Sequence, residues 1–198
     1  MDTEYFAVAF TVVLLVVTSL PLGRYVARVF TGQMTVLDSV LRPIERLVLR
    51  LTGVDSSEEQ TWQQYSRSLL ISNVAMWLAA WTIVTLQQYL PLNPDGIGNM
   101  EPTLAFNTIS SFTSNTNLQH YSGETGLSYF SQMCAIAFLQ FVTAATGVAA
   151  CVALMRALGG NRTTTIGNFY VDLTRANVRL LLPFALVVAA ILMWQAHR

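Results

Sequence analysis

The sequence predicts an all-α membrane protein with four transmembrane helices and one short re-entrant helix that is followed by a polar loop. First, 53% of the 198 residues are hydrophobic, only 11% are charged, and the mean hydropathy is +0.47. Second, residues 5–23, 68–94, 125–155 and 180–197 contain no Asp, Glu, Arg or Lys. Each of these stretches approaches or exceeds the ~20 residues that cross a bilayer. Third, residues 102–123 are uncharged but too polar to face lipid.

The charge balance and the cysteines exclude several classes of function. All 11 basic residues are Arg, there are 11 acids and the formal net charge is zero, so no nucleic-acid partner is expected. Cys134 and Cys151 would lie roughly 25 Å apart on one helix, too far for a disulfide. Neither His120 nor His197 stands at ligand spacing, so no transition-metal site is expected.

The apolar stretches divide the chain into five segments. Residues 1–23 form the first transmembrane helix, which Pro21 and Gly23 are expected to end. Residues 24–67 form a cytoplasmic loop, and residues 68–155 form a span, a re-entrant segment and a span, with Ser57 and Gln60 at the spacing of a capping box ahead of them. Residues 156–179 form a second cytoplasmic loop, and residues 180–198 form the fourth transmembrane helix, which would open a further repeat.

The first loop contains an amphipathic surface helix. Its apolar residues recur at three- and four-residue steps beside a stripe of Arg: Leu37, Leu41, Ile44, Val48 and Leu51, with Arg42, Arg46 and Arg50. We expect the helix to be interrupted or restarted at Pro43 and to stop at Gly53. Membrane lipid headgroups explain the Arg stripe better than a protein partner does.

The polar segment predicts a pore helix over 102–113 and a filter loop over 114–119. Pro102 suits the first helical position, and apolar residues up to Phe112 allow the helix to pack against neighbours. At 1.5 Å per residue the helix is on the order of 17 Å long, about half a bilayer. Ser114, Asn115, Thr116 and Asn117 then favour a turn over a continued helix.

A loop of this composition can bind a dehydrated alkali cation. Backbone carbonyls and hydroxyls replace the water shell, and the C-terminus of a helix aimed at the same point adds partial negative charge. Neighbouring carbonyls share a direction only if some residues leave ordinary geometry, and Asn is the best substitute for Gly in the left-handed region. From spacing alone, an extracellular turn followed by a helix cap at Ser122 or Glu124 remains an equal alternative.

Short sequences along nearly the whole chain resemble one family. They are Pro-Leu-Gly-Arg-Tyr at 21–25, Leu-Arg-Pro-Ile-Glu-Arg at 41–46, Leu-Pro-Leu-Asn-Pro at 90–94, Leu-Ala-Phe-Asn-Thr at 104–108, Ser-Asn-Thr-Asn-Leu-Gln at 114–119, Tyr-Ser-Gly-Glu-Thr at 121–125, Ala-Ala-Thr-Gly at 144–147 and Gly-Asn-Phe-Tyr-Val-Asp-Leu at 167–173. In this order they resemble KdpA, the family of potassium-binding subunits of bacterial Kdp P-type potassium-transporting ATPases.

The resemblance implies a function in the bacterial plasma (inner) membrane. In that family four span-pore-span repeats in one chain build a filter for K+ from one loop each. Asn115 would supply part of the filter ring, with Ser114, Thr116, Asn117 and Gln119 beside it. ATP hydrolysis would lie in a separate subunit, with small accessory subunits completing the complex. The chain itself would not be an enzyme, since it has no Walker loop and no Lys for a phosphorylation sequence.

Two departures from the family pattern leave alternatives open. Ser114 and Leu118 stand where the family usually has Thr and Trp, and the chain holds only the extra first helix, one repeat and the opening helix of the next. We therefore expect a fragment that supplies one of four filter loops. The rivals are a homotetrameric potassium channel, a non-transporting membrane scaffold and, least favoured, a hydrolase that uses His120 with Ser114 or Ser122.

The distribution of Arg predicts the topology. Ten of the 11 Arg lie in the two loops and none lies between the second and third spans, so the loops are cytoplasmic and both termini are external. In a variant without native cysteines, Asn99→Cys should react with an impermeant thiol reagent in intact cells, and Ser56→Cys should not. The opposite labelling would overturn this orientation.

Overall fold

The computed structural model describes residues 2–160 and 164–196, and within these ranges the chain is helical and contains no strand. Residues 161–163 of the predicted loop 156–179 and residues 197–198 of the predicted helix 180–198 lie outside the described residues. Six principal helices are present in the described part: α1 Asp2–Phe30, α2 Asp38–Thr52, α3 Trp62–Thr85, α4 Pro102–Thr113, α5 Tyr129–Gly159 and α6 Phe169–Ala196. Of these, α1, α3, α5 and α6 are long and apolar enough to span a membrane. The predicted all-α membrane fold is confirmed.

Helix α1 is longer than predicted, because it continues through Pro21 and Gly23 to Phe30. Val29 is fully buried and Phe30 is 8% exposed, and both belong to a hydrophobic cluster that includes Val152 of α5. This packing continues the helix, and neighbouring helices commonly compensate for Pro inside membrane helices.

The predicted amphipathic helix is present as α2, and it runs through Pro43 without interruption. It ends at Gly53, whose φ of 68° lies in the left-handed region that favours glycine. Its buried face consists of Leu41, Glu45 and Leu49 at four-residue steps. A buried carboxylate in the centre of this face needs cationic partners.

Helix α3 begins at Trp62 with Thr61 as its N-cap, so the capping box predicted at Ser57 and Gln60 was wrong. The Thr61 side chain accepts a hydrogen bond from the Gln64 N–H, while the Gln64 side chain accepts one from the Thr61 N–H. Gln60 cannot be helical, because its N–H donates to the Gly167 carbonyl at 2.7 Å and its carbonyl accepts from Ile166 at 3.0 Å.

Helix α6 begins eleven residues before the predicted start at 180, so most of the described part of the predicted loop 156–179 is helical. The Asn168 side chain caps the helix by accepting bonds from the N–H groups of residues 170 and 171. The prediction failed because Asp172, Arg175 and Arg179 indicated a loop, whereas in the structure their charges are paired inside the protein.

Arg175 and Arg179 of α6 form a charged cluster with Asp38 and Glu45 of α2. The Arg179 side chain is 3% exposed and lies 2.9 Å from Asp38 Oδ1 and 2.7 Å from Glu45 Oε2. Arg175 Nε lies 3.0 Å from Glu45 Oε1. The cluster fixes the amphipathic helix against α6, and removal of one partner would leave a buried charge uncompensated.

A second ion pair ties α5 to α6. Arg156 donates two hydrogen bonds to Asp172, at 2.6 and 2.9 Å, and Asp172 is 1% exposed. The Tyr65 hydroxyl of α3 lies 3.2 Å from the same carboxylate and 2.9 Å from the Ala149 carbonyl. Three spanning helices therefore meet at this one carboxylate.

The close packing around this pair predicts a specific role for Gly167. Its φ is +103°, and an added Cβ would lie 2.2 Å from Arg156 Nη1. Gly167→Ala should lower the free energy of unfolding by about 2 kcal/mol, because it strains the backbone and displaces the guanidinium. For a chain of this size, this corresponds to a drop of about 4–8 °C in the thermal unfolding midpoint in detergent.

Gly98→Ala is the matched control, because a Cβ there would meet nothing within 4 Å and its φ is not in the left-handed region. Equal midpoints for the two variants would show that Gly167 is not needed for the Arg156–Asp172 pair.

Candidate functional site

The candidate site is the C-terminal end of α4 and the loop that follows it. Helix α4 has the bounds 102–113 that the sequence predicts, and it buries its apolar side against α3 and α5. Its N-terminus is capped by Glu101, whose carboxylate accepts bonds from the N–H groups of Thr103 and Leu104 at 3.0 and 2.9 Å.

The hydrogen bonds from the Thr103 hydroxyl and these two N–H groups lower the pKa of Glu101 below its ordinary value. A lowered pKa in the folded state means that the cap stabilises the helix at neutral pH, and this contribution is lost as the pH falls through the lowered pKa. Helix α4 is therefore capped at physiological pH.

Two spanning helices hold the C-terminal end of α4. The Trp77 indole N–H of α3 donates to the Ser110 hydroxyl at 3.0 Å. The Thr143 hydroxyl of α5, which is 4% exposed, lies 3.1 Å from the Phe112 carbonyl and 2.6 Å from the Leu139 carbonyl. These contacts place the last turn of the helix against the middle of the bundle.

The loop after the helix has alternating left-handed residues. Asn115 has a φ of 57° and Asn117 a φ of 54°. Among the non-glycine residue types, Asn is one of those that best tolerate the left-handed region. The structure therefore uses both Asn residues in the conformation that their alternation with Ser114 and Thr116 suggests.

The N–H groups of five consecutive residues after α4 point back to the end of the helix. Ser114 donates to the Ser110 carbonyl at 3.0 Å, and Asn115 donates to the Phe112 carbonyl at 3.2 Å. The N–H groups of Thr116 and Asn117 lie 3.0 and 3.4 Å from the Ser111 carbonyl. The N–H of Leu118 donates to the Ser111 hydroxyl at 2.6 Å.

These bonds decide where the carbonyl groups of the loop point. In a planar trans peptide the C=O lies opposite the N–H of the next residue, and the described residues contain no cis peptide bond. Because the N–H groups of residues 114–118 face the helix, the carbonyls of residues 113–117 face away from it. Within the described structure, none of these five carbonyls accepts a hydrogen bond.

The side chains of the predicted site residues do not all share this direction. The Ser114 hydroxyl lies 2.9 Å from the Ser110 carbonyl, and the Thr116 hydroxyl lies 3.0 Å from the Ser111 carbonyl. The Asn117 amide donates to the Asn115 side-chain oxygen at 3.3 Å. Two hydroxyls that were expected to bind the ion are thus turned towards the helix, whereas the backbone carbonyls of residues 113–117 face away from it.

Gln119 lies apart from the other four predicted residues. Its side-chain amide donates to the Tyr121 carbonyl at 3.0 Å, and its own N–H takes no part in the contacts with the helix end. Leu118 is 61% exposed. The structure therefore brings residues 114–117 together and places residues 118 and 119 at the edge of the group.

The end of the helix acts on the site indirectly. The last carbonyls of α4, those of Ser110, Ser111 and Phe112, are occupied by the loop N–H groups and by Thr143. A cation would thus meet the outward carbonyls of the loop, whose peptide dipoles have the same sense as the occupied ones. Sequence analysis missed Ser111 and Thr143, because a hydroxyl on a helix gives no signal of its partner.

The rest of the described chain offers no metal centre. Within residues 2–160 and 164–196, no group of three or more His, Cys, Asp or Glu side chains could hold a metal ion. Cys134 and Cys151 are exposed free thiols. After α4, the next spanning helix is capped by Ser128, whose side chain accepts from the Ser131 N–H, and Ser122 precedes only the single turn Gly123–Gly126.

The comparisons with known proteins all match the same subunit of potassium-transporting ATPases, over nearly the whole of this chain. The family described as KdpA, the potassium-transporting ATPase A subunit, matches residues 9–197. The potassium-transporting ATPase potassium-binding subunit of Pseudomonas fluorescens is 52% identical over 174 residues, which are 88% of this chain and 31% of that protein.

Two further relatives carry the same name. The protein from Allorhizobium ampelinum is 49% identical over 181 residues, 91% of this chain and 32% of the relative. The protein from Bacteroides fragilis is 47% identical over 195 residues, 98% of this chain and 34% of the relative. The chain therefore spans about a third of the length of the curated relatives that it matches.

Proposed function

We propose a function for this chain, which belongs to the KdpA family of potassium-transporting ATPase A subunits. It binds and selects K+ for an ATP-driven potassium uptake complex, and it contributes one of four filter loops. The contributing residues are Ser114, Asn115, Thr116 and Asn117, with Gln119 at the rim.

The observation that carries the proposal is the outward direction of the carbonyls of residues 113–117. A row of neutral carbonyl oxygens without hydrogen-bond donors is the type of ligand that replaces the hydration shell of K+. No Asp, Glu, Arg or Lys lies between Glu101 and Glu124, so the site discriminates by dipoles and not by a net charge. Such a site binds a monovalent cation weakly enough to release it.

A single loop surrounds only part of an ion. The loop residues 114–119 are all exposed in this chain, which leaves their outer side free for the loops of further repeats. We infer that α4 is a re-entrant pore helix that enters from the outside, and that both termini of this chain lie on the outer side of the bacterial plasma membrane. The Arg-rich segments then face the cytoplasm and anionic lipid.

The energy for uptake comes from a partner. The chain contains no Lys, so it carries neither the Lys of a Walker loop nor a Lys-containing phosphorylation sequence. The chain is thus a non-catalytic part of the complex, and we propose that ATP hydrolysis belongs to a separate subunit, with small accessory subunits completing the assembly.

Substitutions in the loop test the site. In a full-length subunit that carries this repeat, coexpressed with the other subunits, Asn115→Asp and Gln119→Arg should each reduce selective K+ uptake at least about tenfold. A charge at a partly dehydrated site acts through a low effective dielectric and is worth several times its value at the surface. The measurement is uptake kinetics with K+ and Rb+.

The matched controls make the same chemical changes outside the site. Asn99→Asp keeps the oxygen that accepts the Gln88 N–H at 3.0 Å, and Gln88→Arg changes an exposed side chain. Asn93 is unsuitable as a control position, because its side-chain amide donates to the Ile97 carbonyl at 2.8 Å and accepts from the Ile97 N–H at 2.9 Å. Equal effects at positions 115, 119, 99 and 88 would refute the assignment of the filter loop.

A homotetrameric channel is the closest alternative, and growth distinguishes it. Expressed alone, this chain should not restore growth of a potassium-uptake-deficient strain at low K+, because one loop supplies about a quarter of the coordinating oxygens. Growth together with a tetramer on crosslinking would establish the channel. A non-transporting scaffold would instead leave uptake unchanged when Asn115 is substituted in the full-length subunit.

A further inference from the structure

We propose that Ser111 is the positioning residue of the filter loop, fixing the direction of its carbonyls through one buried backbone carbonyl and one buried hydroxyl. This inference rests on the proposed function, because it explains how the same loop is held in a conformation that can bind K+. Ser111 lies one turn before the loop and would not itself touch the ion.

The Ser111 carbonyl accepts hydrogen bonds from the middle of the loop. The N–H and the hydroxyl of Thr116 each lie 3.0 Å from it, and the N–H of Asn117 lies at 3.4 Å. The Ser114 hydroxyl is also within 3.2 Å, although it has a closer acceptor in the Ser110 carbonyl at 2.9 Å. One carbonyl therefore orients two successive peptide planes on either side of Thr116.

The Ser111 hydroxyl holds the far end of the loop. It accepts the Leu118 N–H at 2.6 Å and lies 3.2 Å from the Thr116 hydroxyl. Each hydroxyl has one proton, and one consistent assignment has Ser114 donate to the Ser110 carbonyl, Thr116 donate to the Ser111 carbonyl, and Ser111 donate to Thr116. The Ser111 oxygen then remains free to accept from Leu118.

The surroundings of Ser111 favour this role over simple helix packing. The residue is 7% exposed, and a buried serine on a helix commonly bonds back to the carbonyl four residues earlier. The described bonds of the Ser111 hydroxyl go instead to Thr116 and Leu118. Loss of the hydroxyl would leave the Leu118 N–H without its partner and allow the peptide plane between residues 117 and 118 to turn.

The test uses the full-length subunit in its assembled complex. Ser111→Ala should raise the KM for K+ about tenfold and reduce the discrimination of K+ from Rb+, the size expected when about one hydrogen bond is lost. The maximal rate should change little, because the chemistry of ATP hydrolysis is not touched. Ser111→Thr keeps the hydroxyl and should restore both the KM and the discrimination.

Thr108→Val is the matched control, since Thr108 lies on the same helix, is 1% exposed, and its hydroxyl has no hydrogen-bond partner among the described residues. Its removal should alter neither the KM nor the ion ratio. A direct measurement, amide hydrogen exchange at Leu118, should accelerate in Ser111→Ala and remain unchanged in Thr108→Val.

The outcomes separate this inference from the proposed function. If Asn115→Asp impairs selection while Ser111→Ala leaves the KM, the ion ratio and the Leu118 exchange unchanged, the filter assignment stands and the role of Ser111 is wrong. A parallel loss of assembly and rate with no change in KM or ion ratio would make Ser111 merely structural, and this too overturns the proposal. If Ser111→Ala shifts selection and Asn115→Asp does not, the role of Ser111 is supported and the proposed filter ligand is wrong.

Discussion

The site depends on the direction of five consecutive peptide planes after α4. Their N–H groups donate to Ser110, Ser111 and Phe112. The opposite carbonyls face away from the helix and accept no hydrogen bond within the described chain. In a membrane, unpaired backbone groups are tolerated only where they line a cavity or are buried in protein. The same bonds that satisfy the donors of the loop therefore leave a set of acceptors that an ion can use.

The rest of the bundle keeps this helix end in place. Trp77 and Thr143 contact the last turn of α4 from two different spanning helices. Those helices are joined to α6 through the carboxylate of Asp172, which receives Arg156 and lies beside Tyr65. Ion pairs on α6 thus support the helices that hold the site, and they do so without placing a charge in the loop.

Local chemistry explains which parts the sequence predicted. The bounds of α4 and the left-handed Asn115 and Asn117 follow from properties of the residues themselves, and four of the six helices have the predicted spanning character. The start of α6 did not follow, because Arg175 indicates a loop until its partner Glu45, 130 positions earlier, is known. The contacts of Ser111 were equally hidden, since many hydroxyls in this segment have the same sequence signature.

The exposure of the Leu118 side chain shows that the loop is held by a backbone hydrogen bond and not by side-chain packing at this position. An aromatic ring at position 118 could brace the loop from behind, but the Leu118 side chain is 61% exposed. The N–H of the same residue is instead held by Ser111 at 2.6 Å. The N–H groups of residues 114–118 are bonded to the end of α4, so the direction of the loop carbonyls is set within this chain. In the proposed filter, further loops would then add ligands without having to reorganise this one.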